Sequence, residues 1–268
     1  MLDKLKQRVR ELLEAKTVGV VLGYERGDNP ELARPVYITT PAEAERLVWD
    51  ETCIPILCKY LLKPEAKSFG RRGIIAKPSD VRGIIGLIQE KQIDRADVYI
   101  IAVSNGEKMP EYYDELLDGS KSEIRGQKTE ETEKKIKELM ALSPTERWAF
   151  WKKELSKCIK CYACRQICPL CYCRVCIADK NQPQWIPTSP HLKGNFSWNL
   201  IRAYHLAGRC IDCGECERAC PVSIPLMLLN RMIYNNIKNN FNHEAGFSPD
   251  AVPPLATYYQ EDKENFII

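Results

Sequence analysis

The stretch C-I-K-C-Y-A-C-R-Q-I-C-P at residues 158–169 decides the fold, because its pattern returns as C-I-D-C-G-E-C-E-R-A-C-P at residues 210–221. Both copies follow the spacing C-x-x-C-x-x-C-x-x-x-C-P, in which three thiolates on one tight loop can hold three irons of a 4Fe-4S cube. Structural zinc is the alternative, but zinc is held by two C-x-x-C pairs and does not require the x-x-x-C-P continuation. We therefore predict two 4Fe-4S clusters.

The fourth cysteine of such a run is expected to serve the cluster of the other run. The predicted ligands of cluster I are Cys158, Cys161, Cys164 and Cys220. The predicted ligands of cluster II are Cys210, Cys213, Cys216 and Cys168. This exchange ties the two halves together and brings the cubes close enough for an electron to pass between them.

The residues between the cysteines differ in charge. Basic residues accompany the first run, namely Lys157, Lys160 and Arg165, whereas acidic residues accompany the second, namely Asp212, Glu215 and Glu217. Reduction adds negative charge to a cluster, so this pattern predicts a higher reduction potential for cluster I. The alternative is that solvent and salt screen these charges.

Length, composition and charge limit the number of domains and the kinds of partner that this chain can have. The chain has 268 residues, 13 cysteines and a net charge of +3, which leaves room for about two compact domains. We expect no nucleic-acid partner, because no long basic run is present. The N-terminus lacks an apolar signal core and no run could span a bilayer, so we expect a cytoplasmic protein of a reducing, anaerobic cell without direct membrane insertion.

Residues 1–105 are predicted to form a small α/β domain. Two β-rich runs, at 17–22 and 34–39, come first. Two further strands are predicted at 73–77 and 97–103, and the helix between them has its apolar residues on one face. A strand, helix and strand at this spacing make a βαβ unit with a parallel sheet.

The remaining chain divides into three parts. Residues 106–156 are predicted to be a linker with helices, and 104–128 reads as loop. Residues 157–240 are predicted to form a two-cluster ferredoxin-like domain with a long insert between the cysteine runs. The tail at 241–268 is predicted to be extended, either mobile or, as we favour, lying on another subunit. The predicted class is therefore α+β.

Five cysteines lie outside the two runs. They are Cys171, Cys173 and Cys176, in C-x-C-x-x-C spacing, and Cys53 and Cys58. Three close thiolates can hold a metal if a fourth ligand comes from elsewhere, for example from Cys53, Cys58, His191 or His205. Three interpretations stay open: a third 4Fe-4S cluster, a zinc ion, or unligated buried thiols.

Two segments carry a family resemblance. The residues CIKCYACRQICPLCYCRVCIAD at 158–179 and HLAGRCIDCGECERACPVSIPL at 205–226 resemble the dicluster 4Fe-4S ferredoxin-type electron-transfer subunits of anaerobic oxidoreductases. The segment GRRGIIAKPSDVRGIIGLIQEKQIDRADVYIIAV at 70–103 is similar to the β subunits of deazaflavin-reducing hydrogenases and formate dehydrogenases.

In that β-subunit family this domain carries a flavin and a further cluster, and the loop after the strand typically reads K-G-C-D-x-R. Lys77, Asp80 and Arg82 match this pattern, but Pro78 and Ser79 replace its glycine and cysteine. The resemblance thus implies FAD or FMN near Lys77, Asp80 and Arg82, where a helix N-terminus could face a phosphate. The alternative is a docking scaffold without flavin, and the departures put the extra cluster in doubt.

Together these features predict an electron-transfer subunit of a multi-subunit anaerobic oxidoreductase. Its partners would be a catalytic subunit, such as a hydrogenase, a formate dehydrogenase, a heterodisulfide-reductase-like or a tungsten or molybdenum enzyme, and a flavin subunit or ferredoxin. No substrate triad, dinucleotide fingerprint or phosphate loop is present in the sequence. The alternative is a flavin-containing oxidoreductase subunit that passes electrons into its own clusters. A cluster-based sensor is disfavoured because no DNA-binding helix is predicted.

Overall fold

A computed structural model describes residues 1–29, 31–104, 108–118, 129–180 and 182–256. One mixed sheet occupies the N-terminal part, and helices carry the cysteine runs in the C-terminal part. The predicted α+β class is confirmed. In these ranges no helix is both long and apolar enough to cross a membrane.

The sheet has five strands in the order β2-β1-β3-β4-β5. Their bounds are β1 Val20–Arg26, β2 Ala33–Ile38, β3 Arg72–Ala76, β4 Val98–Ser104 and β5 Glu115–Asp118. β1 and β2 form an antiparallel pair, whereas β1, β3, β4 and β5 are parallel neighbours. All five residues of β3 are buried, as expected for a strand covered on both faces. The predicted βαβ unit is β3, helix α3 (Pro78–Gln89) and β4.

Strand β5 lies within the region predicted to be loop. Its first residue, Glu115, accepts hydrogen bonds from Arg8 Nε at 2.7 and 2.8 Å. Arg8 belongs to helix α1 (Leu2–Glu14), more than a hundred residues earlier in the chain. A contact so distant in sequence leaves no local signal, which is why the prediction missed the strand. The linker residues 106, 107 and 119–128 lie outside the described residues.

Seven further α-helices lie within the described residues. They are α2 Pro64–Lys67, α4 Thr129–Ala141, α5 Pro144–Ser156, α6 Ala163–Ile167, α7 Leu192–His205, α8 Glu215–Arg218 and α9 Leu226–Phe241. Short 3-10 helices occur at Pro41–Arg46, Cys58–Leu62, Arg95–Asp97 and Pro254–Ala256. Helix α5 begins with a capping box, in which Ser143 Oγ accepts from the Glu146 amide at 3.3 Å and Glu146 Oε2 from the Ser143 amide at 2.8 Å.

Helix α3 connects the sheet to the cysteine runs. Two glycines on this helix allow the close approach: a Cβ on Gly86 would stand 3.0 Å from Leu170, and a Cβ on Gly83 would meet the sulfur of Cys58. Leu170 and Ile211, one from each half of the cysteine-rich region, belong to the same buried apolar cluster as the sheet. The α/β part and the cysteine-rich part therefore share a continuous core.

The described part of the tail packs on helix α3 of its own chain, and its contact with another subunit stays a prediction. Arg82 donates to the carbonyl of Ala245 at 3.0 Å and lies over the ring of Phe247 at 4.4 Å. Gln89 donates to the carbonyls of Ser248 at 2.8 Å and Ala251 at 2.6 Å. The apolar tail end at 257–268, on which that prediction also rested, lies outside the described residues.

Candidate iron-sulfur centre

The two cysteine loops have the same backbone shape. In the first loop Lys160 and Tyr162 adopt positive φ values of 57° and 60°, and in the second Asp212 and Gly214 adopt 61° and 73°. These are the third and fifth positions of each run, and a short helix, α6 or α8, follows each loop. Three of these four residues are not glycine, and each of the three costs about 1–3 kcal/mol of backbone strain. Strain repeated at equivalent positions indicates that both loops are built to wrap the same kind of group.

The four predicted ligands of cluster II border one cavity. Its lining includes Cys168, Cys210, Cys213 and Cys216. Burial raises the pKa of Cys210 and of Cys216 to about 12, and the nearby charge of Cys168 adds to both. The fourth cysteine of the first run therefore lies among the first three of the second run, which is the arrangement that crossed ligation needs.

The predicted ligands of cluster I also lie near one another. Burial raises the pKa of Cys164 to about 11, and Cys158, Cys161 and Cys220 contribute to the rise through their charge. The amide of Ile224 donates to the sulfur of Cys220 at 3.4 Å. Cys161 is exposed, whereas Cys164 is buried, so this set reaches the protein surface on one side.

Helix α7, supplied by the long insert, covers the first loop with one face. Asn195 Nδ2 donates to the carbonyl of Cys158 at 2.7 Å, and Arg202 Nη2 donates to the carbonyl of Cys164 at 2.9 Å. Between them Trp198 packs edge-on against Tyr162, with ring centroids 5.2 Å apart. Residues 195, 198 and 202 share a face because they are separated by three and four positions. The insert thus orders the loop that carries three predicted ligands.

The environment of Arg202 indicates whether an anionic group fits the cavity of the cluster II cysteines. Its side chain lines the cavity of Cys168 and Cys216, and the residue is 4% exposed. Its Nε has no hydrogen-bond partner, and no carboxylate in the described parts of the chain pairs with it. Guanidinium stays charged, and a buried charge without compensation costs several kcal/mol. A 4Fe-4S cluster held by four thiolates is anionic, so the residues present fit such a group.

The acidic residues of the second loop have partners that the sequence did not assign. Asp212 forms a buried ion pair with Arg231, and Glu215 pairs with Arg218 at 2.5 Å. Glu217 accepts from the amide of Met227 at 2.8 Å. These pairs offset the negative charge near cluster II, which weakens the basis for predicting a higher potential at cluster I. The order of the potentials stays a prediction.

The five further cysteines are not brought together. The amide of Cys171 donates to the carbonyl of Cys168 at 3.3 Å, and Cys173 is exposed. Cys176 packs in the apolar cluster around the first loop. Cys53 is close to the backbone of Val48, with Sγ 3.7 Å from its carbonyl oxygen, and Cys58 is fully buried against α3. Within the described residues these five cysteines are not part of any group of three or more side chains that could hold a single metal ion.

The predicted flavin residues make contacts within the protein instead. Lys77 is 3% exposed, and its Nζ donates to the carbonyls of Cys53, Ile54 and Pro55 at 2.7–2.8 Å. These bonds use all three of its protons, so none is left for a flavin phosphate. Arg82 is directed to the tail. Flavin binding by these residues stays a prediction, and their contacts argue against it.

Asp80 completes a connection between the sheet and cluster II. Its carboxylate is buried and accepts from the amides of Leu57 at 2.6 Å and Cys58 at 2.9 Å. Ile56 lies between the residues bound by Lys77 and those bound by Asp80. Its amide donates to Glu215 of the second loop at 3.3 Å. We call residues 53–58 the junction loop, because it is held by α3 on one side and by the cluster II loop on the other.

The sequence interpretation missed two supporting side chains, Arg202 and Lys59. Lys59 Nζ donates to the carbonyls of Cys168 and Cys171, each at 3.0 Å. The polar positions 195, 199 and 202 recur at helical spacing, and that signal could have indicated the face of α7. No pattern in the sequence indicates the partner of Lys59.

Comparison with known proteins agrees with this site. Residues 203–225 match the family described as 4Fe-4S binding domain. The match contains the whole second cysteine run, so the chain carries a 4Fe-4S binding domain.

Two curated relatives are similar to part of the chain. The "F420-dependent formate dehydrogenase subunit beta" of Methanocaldococcus jannaschii is 37% identical over 108 residues, which are 39% of this chain and 27% of that protein. The "F420-dependent formate dehydrogenase 1 subunit beta" of Methanococcus maripaludis is 35% identical over 107 residues, 39% of this chain and 26% of that protein. The chain thus spans about a quarter of the length of the relatives it matches. The predicted resemblance to formate dehydrogenase β subunits is confirmed.

Proposed function

We propose that this chain is the iron-sulfur electron-transfer subunit of an oxidoreductase complex. It relays single electrons through two 4Fe-4S clusters between a catalytic subunit and a flavin subunit or a ferredoxin, in the cytoplasm. The observation that carries the proposal is the convergence of Cys168 with the second run and of Cys220 with the first. Two interlocked sets of four thiols suit two adjacent clusters, and adjacent clusters suit stepwise electron transfer.

The surface near cluster I supports its role as the entry or exit point for electrons. Cys161 is exposed, so a bound cluster would come close to solvent there. Exposed basic residues lie nearby in sequence, namely Lys157, Arg174 and Lys180. Arg165 Nη2 donates to the carbonyl of Cys173 at 2.7 Å, which brings the following loop beside the first run. A partner with an acidic surface around its redox centre suits this face.

The similarity to formate dehydrogenase β subunits supports a catalytic partner that acts on a small substrate such as formate. The chain itself would hold its clusters, orient them and keep solvent from cluster II. The contacts of Lys77 within the protein favour this relay over the alternative of a flavin-containing subunit.

Co-purification tests the proposal. A tagged copy of the full chain, expressed at native level and purified anaerobically from its own host, should bring a catalytic oxidoreductase subunit with it. Formate and hydrogen are then supplied in turn as electron donors, and the loss of visible cluster absorbance reports reduction. One of the two should bleach the clusters in the complex, and neither should do so in the isolated chain.

Acid release of the bound cofactors distinguishes an electron-relay subunit from a flavin-containing subunit. The isolated chain should release iron and sulfide but no flavin. If the isolated chain releases flavin and is reduced directly by the donor, the relay assignment is wrong and the chain is a flavin-containing subunit.

A further inference from the structure

We propose that Arg202 raises the reduction potentials of both clusters from a buried position between them. This inference rests on the proposed two-cluster function. It adds that one residue tunes the reduction potentials of both clusters.

Arg202 contacts or faces cysteines of both predicted sets. Its Nη2 is 2.9 Å from the carbonyl oxygen of Cys164, a predicted ligand of cluster I. Its side chain also lines the cavity formed by the predicted ligands of cluster II, which include Cys168 and Cys216. One guanidinium group on α7 therefore lies beside both sites.

The charge of this group is not cancelled by the protein. In the second loop, Asp212 is paired with Arg231 and Glu215 with Arg218. No carboxylate within the described ranges pairs with Arg202, and its Nε lacks a partner. Its positive charge is therefore available to the groups bound in the two sites.

A buried cation acts on a potential more strongly than an exposed one. Each cluster gains one negative charge on reduction, and a nearby positive charge stabilises the reduced form. Solvent screens that attraction at the surface, where Lys157 lies, but not around a side chain that is 4% exposed. Because Arg202 is close to both sets, it should shift both potentials in the same direction.

The test uses three substitutions of Arg202 in the full chain. Arg202→Gln removes the charge and keeps hydrogen-bonding capacity, Arg202→Met removes both, and Arg202→Lys keeps the charge. Anaerobic redox titration monitored by EPR measures both midpoint potentials, and iron analysis verifies that both clusters are present. The neutral variants should shift both potentials to more negative values, and the Lys variant should shift them less than half as far.

Arg165→Gln is the matched control. Arg165 follows Cys164 directly but is partly solvent-exposed, so the loss of its charge should shift either potential less than the loss of Arg202. A neutral Arg202 variant with full iron content and unchanged potentials would overturn the inference. The inference would also be overturned if Arg202→Lys shifted the potentials as far as a neutral variant does. Because there are two neutral variants, this comparison can still be made if one of them fails to assemble.

Failure of the proposed function would look different. A wild-type chain without iron-sulfur signals in the same titration would overturn both the two-cluster function and the inference. Intact clusters whose potentials do not depend on Arg202 would overturn the inference alone.

Discussion

Cys220 tests the crossed arrangement at the scale of a single residue. It belongs to the second run, yet it lies near Cys158, Cys161 and Cys164 of the first. Replacing it with alanine should remove the fourth ligand of cluster I and leave cluster II with all of its ligands. We expect Cys220→Ala to lose the EPR signal of cluster I or to convert that cluster to a three-iron form.

Cys173→Ser is the control for this variant. Cys173 is exposed and belongs to neither set of four, so its replacement should leave both signals unchanged. If Cys220→Ala damages cluster II and spares cluster I, the ligands are not exchanged between the runs.

The sequence indicates which cysteines matter but not what surrounds them. The spacing of each run is local, so it identifies eight candidate ligands without any tertiary information. Arg202 and Lys59 reach the runs from distant parts of the chain. Their roles depend on how the helices pack, and no spacing rule indicates them.

At the scale of elements, the junction loop determines how the sheet meets the cluster II loop. Lys77 at the start of α3 holds three of its carbonyls from a fully buried position. Lys77→Met should remove the Lys77 hydrogen bonds to the carbonyls of Cys53 and Ile54, while the Pro55 carbonyl keeps the Tyr24 hydroxyl as a donor. It should also leave Asp80 without its nearby cation, and together these losses should cost about 3 kcal/mol of unfolding free energy. Chemical unfolding under anaerobic conditions measures the loss.

Lys67→Met serves as the comparison, because Lys67 is exposed on α2 and should change stability by less than about 0.5 kcal/mol. A role in flavin binding would give another result. In that case Lys77→Met would release flavin while the unfolding free energy stayed near that of the wild type.

Elements with a strong local pattern were predicted well, and those fixed by distant contacts were not. The apolar runs of β3 and β4 indicated the parallel sheet. Strand β5 depends on Arg8 of α1, and the position of the tail depends on Arg82 and Gln89 of α3. Such contacts form only when the whole chain is folded.

At the scale of the whole molecule, the continuous core joins the sheet to the cysteine-rich part. Because the cluster II loop also holds the junction loop through Glu215, loss of the clusters should disturb more than the cysteine runs. The shared core is consistent with a rigid support that keeps two clusters at a fixed separation, which the proposed electron relay requires.

The number of bound irons tests whether the chain holds two 4Fe-4S clusters. Protein matured and purified without oxygen should contain about eight irons and eight acid-labile sulfides per chain, in two 4Fe-4S clusters. Mössbauer spectroscopy identifies the cluster type in the same sample. About twelve irons would instead indicate a third cluster, and a colourless, iron-free chain after proper maturation would contradict the two-cluster assignment.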